Sequence, residues 1–152
     1  MSLTFQWSRL EDFTALELHA LLMARESVFV VEQRCAYQEA DALDAHAWHV
    51  RVFQNGALAA CARVVDAGYK FPQPSIGRVM TLPAFRGQRL GQALMEEAIR
   101  FTQLHHPGVG IQISAQAYLQ RFYADLGFAP VGEVYDEDGI AHIDMVQPAP
   151  EK

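Results

Sequence analysis

Cysteine is scarce in this sequence: Cys35 and Cys61 are the only two. They lie far apart in apolar or strand-like surroundings, which excludes a disulfide-built scaffold and reads as two free thiols in a reducing compartment. Long apolar runs are missing too. None approaches the ~20 residues that span a bilayer as a helix. The opening MSLTFQWSRL has neither the basic start nor the apolar core of an export signal, so a cytoplasmic location is expected. Positive charge is in short supply, with 12 Lys and Arg against 18 Asp and Glu and a formal net charge of −6. A nucleic-acid binder, or a protein held on anionic lipid, would carry the opposite excess, and neither class is expected. Internal repeats and low-complexity tracts are absent. So are the G-x-x-x-x-G-K-[ST] loop and a G-x-G-x-x-G turn after the first strand, which removes two familiar phosphate-binding signatures.

What is present suits one domain over residues 1–152, with 51% of residues apolar and 20% charged. LTFQW at the start alternates apolar and polar, as a first strand does. Thr14 with Glu17 three residues on is a capping-box signature, and Leu18, Leu21, Leu22 and Arg25 follow at helical spacing. VEQRCAYQEADALDAH has no period and many acids, and reads as an irregular, functional loop with at most a short helical turn. AWHVRVFQNGALAACARVV is a hairpin about Asn55-Gly56, and SIGRVMTL a buried strand ended by Pro83. Leu90, Leu94, Ala98 and Phe101 mark the apolar stripe of a helix that HHPG ends. VGIQIS is a strand, AQAYLQRFYADLGF a short helix stopped by Gly127, and APVGEVYDEDGIAHIDMV a second hairpin about Asp138-Gly139. The order β-α-β-β-β-α-β-α-β-β predicts an α/β fold with a mixed, mostly antiparallel twisted sheet flanked by helices.

The chemistry concentrates in TLPAFRGQRLGQALM, where a strand hands over to a helix through Arg86-Gly87-Gln88-Arg89-Leu90-Gly91. A helix N-terminus presents unpaired N–H groups and the positive end of the dipole. Glycine lets an anion approach that backbone, and arginine adds a planar, permanent charge suited to phosphate oxygens. A pyrophosphate-binding turn is one reading; a glycine-containing connection with solvated arginines is the other.

The segment VMTLPAFRGQRLG resembles the acetyl-CoA signature of the GNAT superfamily of N-acetyltransferases, [QR]-x-x-G-x-[GA] after a strand. Arg86 matches its first position and Gly91 its last, while Arg89 stands where the family usually has its first glycine. A second family signature, Y-x-x-x-G-F, is met by Tyr123 to Phe128. Together the two cover Val79 to Phe128, and the predicted element order is that of the GNAT fold. Within the superfamily the chain resembles the ElaA-like branch almost end to end, through VFVVEQRCAYQEAD, IGRVM, AQAYLQRFYADLGF and EVYDEDGIAHIDM.

The resemblance implies transfer of an acetyl group from acetyl-CoA to a primary amine of a small molecule or peptide. It implies that the backbone of Val79, Met80 and Thr81 meets pantetheine and the acetyl carbonyl, and that Arg86, Gly87, Gln88, Arg89, Leu90, Gly91 and Gln92 wrap the pyrophosphate. Gln116 stands where many relatives have a cofactor-touching Asn. Tyr123 matches the general acid that protonates the departing thiolate, a role suited to a phenol of pKa ~10. Neither SIGRVMT nor VGIQIS carries the carboxylate that some relatives use as base. The candidates left are Glu32, Glu39, Asp41, Asp44, His46 and His49, or ordered water; as a set the acids would form a mouth for a cationic acceptor. His46 and His49 have H-x-x-H spacing but no third ligand, and no metal is expected. His105-His106 reads as a helix end, Trp7 and Trp48 as packing residues, and a covalent acyl-Cys35 route is unnecessary for direct transfer. The apolar terminal hairpin suits a homodimer. The alternative function is an acyl-CoA-binding module or sensor with little transferase activity.

Overall fold

The structure, a computed structural model, describes residues 2–150 and places the elements in the expected order. Strands β1 (Leu3–Arg9), β2 (Ala47–Gln54), β3 (Ala57–Val65) and β4 (Ser75–Thr81) form one antiparallel sheet in that order. Strands β5 (Ile111–Gln116), β6 (Ala129–Glu137) and β7 (Ile140–Gln147) form a second antiparallel sheet, ordered β5-β7-β6. Both hairpins turn where expected. Asn55 and Gly56 have φ of 52° and 83°, Asp138 and Gly139 52° and 83°, the paired positive φ values of a two-residue turn that follows the strand twist.

The fold class is the expected one, but the β-structure divides into two antiparallel sheets instead of one sheet of mixed direction. They meet at the beginnings of β4 and β5, where the Gln112 N–H donates to the Pro74 carbonyl at 3.1 Å. No ladder joins the two strands beyond it. The physical cause lies in β4. Between the pairs Arg63–Gly77 and Cys61–Met80, the two residues Arg78 and Val79 oppose Ala62 alone, and Arg78 takes a φ of 49°. A bulge of this kind bends and over-twists its strand, and so parts β4 from β5.

Helix α1 (Ala15–Glu26) opens on the anticipated capping box: the Glu17 N–H donates to Thr14 Oγ1 at 3.1 Å and the Thr14 N–H to Glu17 Oε1 at 2.8 Å. It then runs on as a π-helical stretch, Ser27–Glu32, into the segment read as irregular. Asp41 caps a 3-10 turn, Ala42–His46, before β2. Helix α2 spans Leu90–His105 and α3 Gln120–Ala124.

The side-chain alternation of β3 assigns the layers. Cys61 points to one face, where Leu21, Ala24, Val28 and Phe29 of the first helical segment pack with Met80. Ala60 and Ala62 point to the other, against Leu90 and Leu94 of α2. Further along α2, Met95, Ala98 and Ile99 pack on Ile111, Ile113, Ile143 and Met145 of the second sheet. At ~1.5–3 kcal/mol for each large apolar side chain buried, α2 is the main tie between sheets that share so little hydrogen bonding. Trp7 stacks on Phe101 with centroids 3.7 Å apart and Trp48 meets the same ring edge-on at 5.3 Å, the packing roles expected of both. Among the described residues no helix is long and apolar enough to cross a membrane.

Candidate active site

Where β4 and β5 part, two strand edges face a common space. Each is the terminal strand of its sheet, so backbone N–H and C=O groups along these edges have no ladder partner. A cleft of about 990 Å³ lies there, lined by β4 from Ser75 to Thr81, by Ile113, Ser114 and Gln116 of β5, and by Tyr123 of α3. Val79, Met80 and Thr81 are thus brought together on one wall, immediately after the bulge.

A smaller pocket of about 320 Å³ adjoins it, lined by Thr81, Phe85, Arg86, Gly87, Arg89, Leu90, Gly91, Gln92 and Phe122. Thr81 and Arg86 line both spaces. After a single 3-10 turn at Pro83–Phe85 the chain passes Gly87, at φ 85°, and enters α2 with no side chain capping its first N–H groups. Arg89 is the residue before the helix and has φ 58° and ψ 26°. This left-handed conformation costs a side chain roughly 1–2 kcal/mol and a glycine almost nothing, which accounts for the glycine of the family signature. The turn brings six of its seven expected residues around the pocket. Gln88 is the exception: its Oε1 accepts from Gln54 Nε2 at 3.0 Å, and it does not line the pocket.

Arg86 is occupied. Its two terminal nitrogens donate to Glu32 at 2.6 and 2.7 Å, and its Nε donates to the Thr81 carbonyl at 3.0 Å. Glu32, expected on the acceptor side, therefore stands at the turn, and Arg86 holds its carboxyl below the usual range. Gln116 donates weakly to Gln33 at 3.5 Å. Tyr123 is 8% exposed and wedged edge-on between Phe122 and Phe128. Its hydroxyl has no hydrogen-bond partner among the described residues, and burial pushes the phenol up to about 12.

The remaining acids do not form an open cationic mouth. Glu39 and Asp44 are buried with Arg25, whose guanidinium donates to Glu39 at 2.6 and 2.7 Å and to Asp44 at 3.0 and 3.1 Å. Arg63 binds Asp41 at 2.6 Å and Asp44 at 2.9 Å, and Arg78 binds Glu39 at 2.9 Å and Asp41 at 3.2 Å. Three guanidinium groups meet three carboxylates, so the cluster carries no net charge to attract a cation. Burial pushes the Asp41 and Asp44 carboxyls up, but Arg63 and Arg25 outweigh it and hold both below the usual range. The network fastens the loop before β2 to α1, β3 and β4. His49 is sealed beside it, 1% exposed, with Nε2 2.9 Å from the Asp44 carbonyl; burial holds its imidazole below the ordinary value. His46 stacks on Tyr69 instead, at 4.0 Å.

Sequence reasoning did not single out the three arginines as a group, nor the polar face of the second sheet. There His142 and Glu137 line the cleft with Ser114, Asp138 and Lys70. His142 Nδ1 lies 2.8 Å from the Ile140 carbonyl and Nε2 3.4 Å from Glu137 Oε2. Cys35 Sγ donates to the Asp138 carbonyl at 3.2 Å, tying the loop to the second hairpin. The signal for His142 was in IAHIDM, whose alternation puts His142 and Asp144 opposite the core residues Ile143 and Met145.

Known proteins share this fold. The family described as "Acetyltransferase (GNAT) domain" matches residues 11–147. Protein ElaA of Escherichia coli is 40% identical over 146 residues, which cover 93% of this chain and 95% of that protein. Its crystal structure superposes with a TM-score of 0.89 over 96% of this chain and 99% of that one, at 38% identity. A crystal structure described as an acyl-CoA N-acyltransferase from Pseudomonas aeruginosa superposes with a TM-score of 0.90 at 42% identity, over 96% and 99% of the two chains. By family match, near-complete relatives and fold alike, the chain belongs to the GNAT acetyltransferase family, in its ElaA-like branch.

Proposed function

We propose that this protein transfers an acetyl group from acetyl-CoA to a primary amine by direct attack of the amine on the thioester. The observation that carries the reading is the adjacency of two spaces: a pocket at the start of α2 shares Thr81 and Arg86 with a cleft walled by the free edge of β4 and by Tyr123. Pyrophosphate suits the first, where Gly87 and Gly91 leave the helix amides open and Arg89 adds charge, Arg86 being matched by Glu32 until a ligand competes for it. Pantetheine, with its two amides, suits an unpaired strand edge beside Val79, Met80 and Thr81. The acetyl group then lies near Tyr123, and Gln116 borders its path.

Tyr123 gives the departing thiolate its proton. Burial keeps the phenol protonated at any working pH, so its proton is on hand when the C–S bond breaks. The far more acidic nitrogen of the collapsing adduct then restores the phenol, which makes the transfer to sulfur downhill overall. The acceptor enters from the side of Asp41, Lys70 and the second hairpin. Glu39, Asp44 and His49 lie behind that side, outside the cleft lining, and do not touch the acceptor. A cytoplasmic setting supplies the acetyl-CoA.

The test is thiol release from acetyl-CoA across a panel of primary amines, with Tyr123→Phe alongside. Turnover on at least one amine is expected, and the variant should lose about 100-fold or more in kcat while binding acetyl-CoA as before. Tight acetyl-CoA binding with no thiol release on any amine would instead identify a binding module. Unchanged turnover in Tyr123→Phe would remove the tyrosine from the reaction.

A further inference from the structure

An amine reaches neutral solution as an ammonium ion, and it must lose a proton before its nitrogen can attack. Neither β4 nor β5 carries a carboxylate for that step. Glu39, Asp41 and Asp44 are held by arginines, Glu32 is bound to Arg86, and His49 does not line the cleft. One imidazole does. We infer that His142 is the base that takes the ammonium proton, with Glu137 stabilising the imidazolium; this rests on the amine acetylation proposed above.

The ring is preset for the task. Ile140 O, 2.8 Å from Nδ1, can only accept, so Nδ1 carries the hydrogen of the neutral ring and Nε2 keeps the lone pair. Glu137 Oε2, 3.4 Å from Nε2, becomes an ion-pair partner as soon as the proton arrives. Tyr135 stacks against the ring at 6.0 Å, and its own hydroxyl is held by Asp144 at 2.6 Å and by Ser114. Across the β5–β7 ladder His142 faces Gln116, from which the chain leads through Tyr118 to Tyr123. The titratable groups around the imidazole are Tyr135 and Glu137 of β6, Asp138 of the turn, Asp144 on its own strand and Lys70 across the cleft.

The protons balance. The ammonium gives one proton to His142 Nε2, and the freed lone pair attacks the carbonyl carbon of the thioester. On collapse the C–S bond breaks with its electron pair going to sulfur, and the thiolate takes the Tyr123 proton. The second proton leaves the new amide nitrogen and restores the phenol, while His142 releases the first to solvent. The products are the amide, the CoA thiol and one proton.

The pH profile of kcat/KM on the best amine tests this in wild type, His142→Gln and Glu137→Gln, together with acetyl-CoA affinity. H142Q should lose roughly 100-fold or more at pH 7, with acetyl-CoA binding unchanged. The deficit should shrink as pH approaches the amine's own pKa, ~10 for a lysine-like amine, where no base is needed. E137Q should retain most activity at pH 7, since that carboxylate touches the imidazole and not the amine. A wild-type profile in H142Q, or an H142Q deficit that does not change with pH, would overturn the assignment. Should H142Q fail to fold, the same profile is read in His142→Asn, where a wild-type profile would do the same. If wild type itself turns over no amine, acetylation falls and this assignment with it, an outcome distinct from turnover that ignores His142.

Discussion

Replacing Gly91 by alanine separates what the turn does for the fold from what it does for a ligand. Gly91 is the second residue of α2, and a Cβ built there meets nothing nearer than Thr81 Oγ1 at 4.0 Å, an ordinary contact. The fold therefore gains. Alanine is favoured over glycine in a helix by about 0.5–1 kcal/mol, and at ~2–4 °C per kcal/mol for a chain of this size the melting temperature of the unliganded protein should rise by about 1–4 °C. The ligand loses. The new methyl group stands in the pocket that Gly91 lines, where a phosphate oxygen would approach the helix amides. Loss of one charge-assisted hydrogen bond, ~1.5–3 kcal/mol, weakens acetyl-CoA roughly ten- to a hundredfold. Differential scanning fluorimetry without ligand and titration calorimetry with acetyl-CoA read the two effects separately. A variant that melts higher and binds acetyl-CoA as wild type does would refute the placement of pyrophosphate at this turn.

Two further predictions concern stability. Arg25→Met leaves Glu39 and Asp44 buried with one guanidinium too few, at a cost of about 3–5 kcal/mol; a urea midpoint that barely moves would show the cluster to be worth little. Stability should also fall with acid in two stages. His49, with its folded pKa below the unfolded ~6.5, contributes stability that is complete above that value and is lost as pH falls towards the folded one. Asp41 and Asp44, also depressed, contribute stability present above an unfolded ~3.9 and lost as pH falls through their folded values. Urea midpoints measured between pH 8 and pH 3 should show both stages, with the upper one flattened in His49→Asn; a flat curve from pH 7 to pH 4.5 would contradict the sealed histidine.

Local chemistry was readable in the amino-acid sequence, and chemistry between distant residues was not. The capping box of Thr14 and Glu17, the Asn55-Gly56 and Asp138-Gly139 turns and the turn into α2 each depend on a few adjacent residues, and each has the expected geometry. The parting of the sheets was invisible because its cause, a left-handed Arg78, carries no glycine to announce it. Arg25 was visible only as one position of a helical stripe. Nothing in a periodicity says that its guanidinium meets Glu39, 14 residues on, and Asp44, 19 residues on. Glu32 misled for a related reason. An acid in an acid-rich loop suggests a mouth for cations, yet the π-helical extension of α1 carries it to Arg86.

The two walls of the cleft belong to different sheets, joined along β4 and β5 by little more than the Gln112–Pro74 bond. What couples them is α2, through its packing on Ile111, Ile113, Ile143 and Met145. The first wall brings the helix-start turn and the arginine-bound loop as one block, while the second ends in a hairpin whose β6 strand is exposed along its whole length. Substitutions along β6, none of whose residues belongs to the core packed on α2, reshape one side of the cleft without moving the turn at α2. A protein built this way can keep one side of its cleft and alter the other over evolutionary time, with β6 as the interchangeable part.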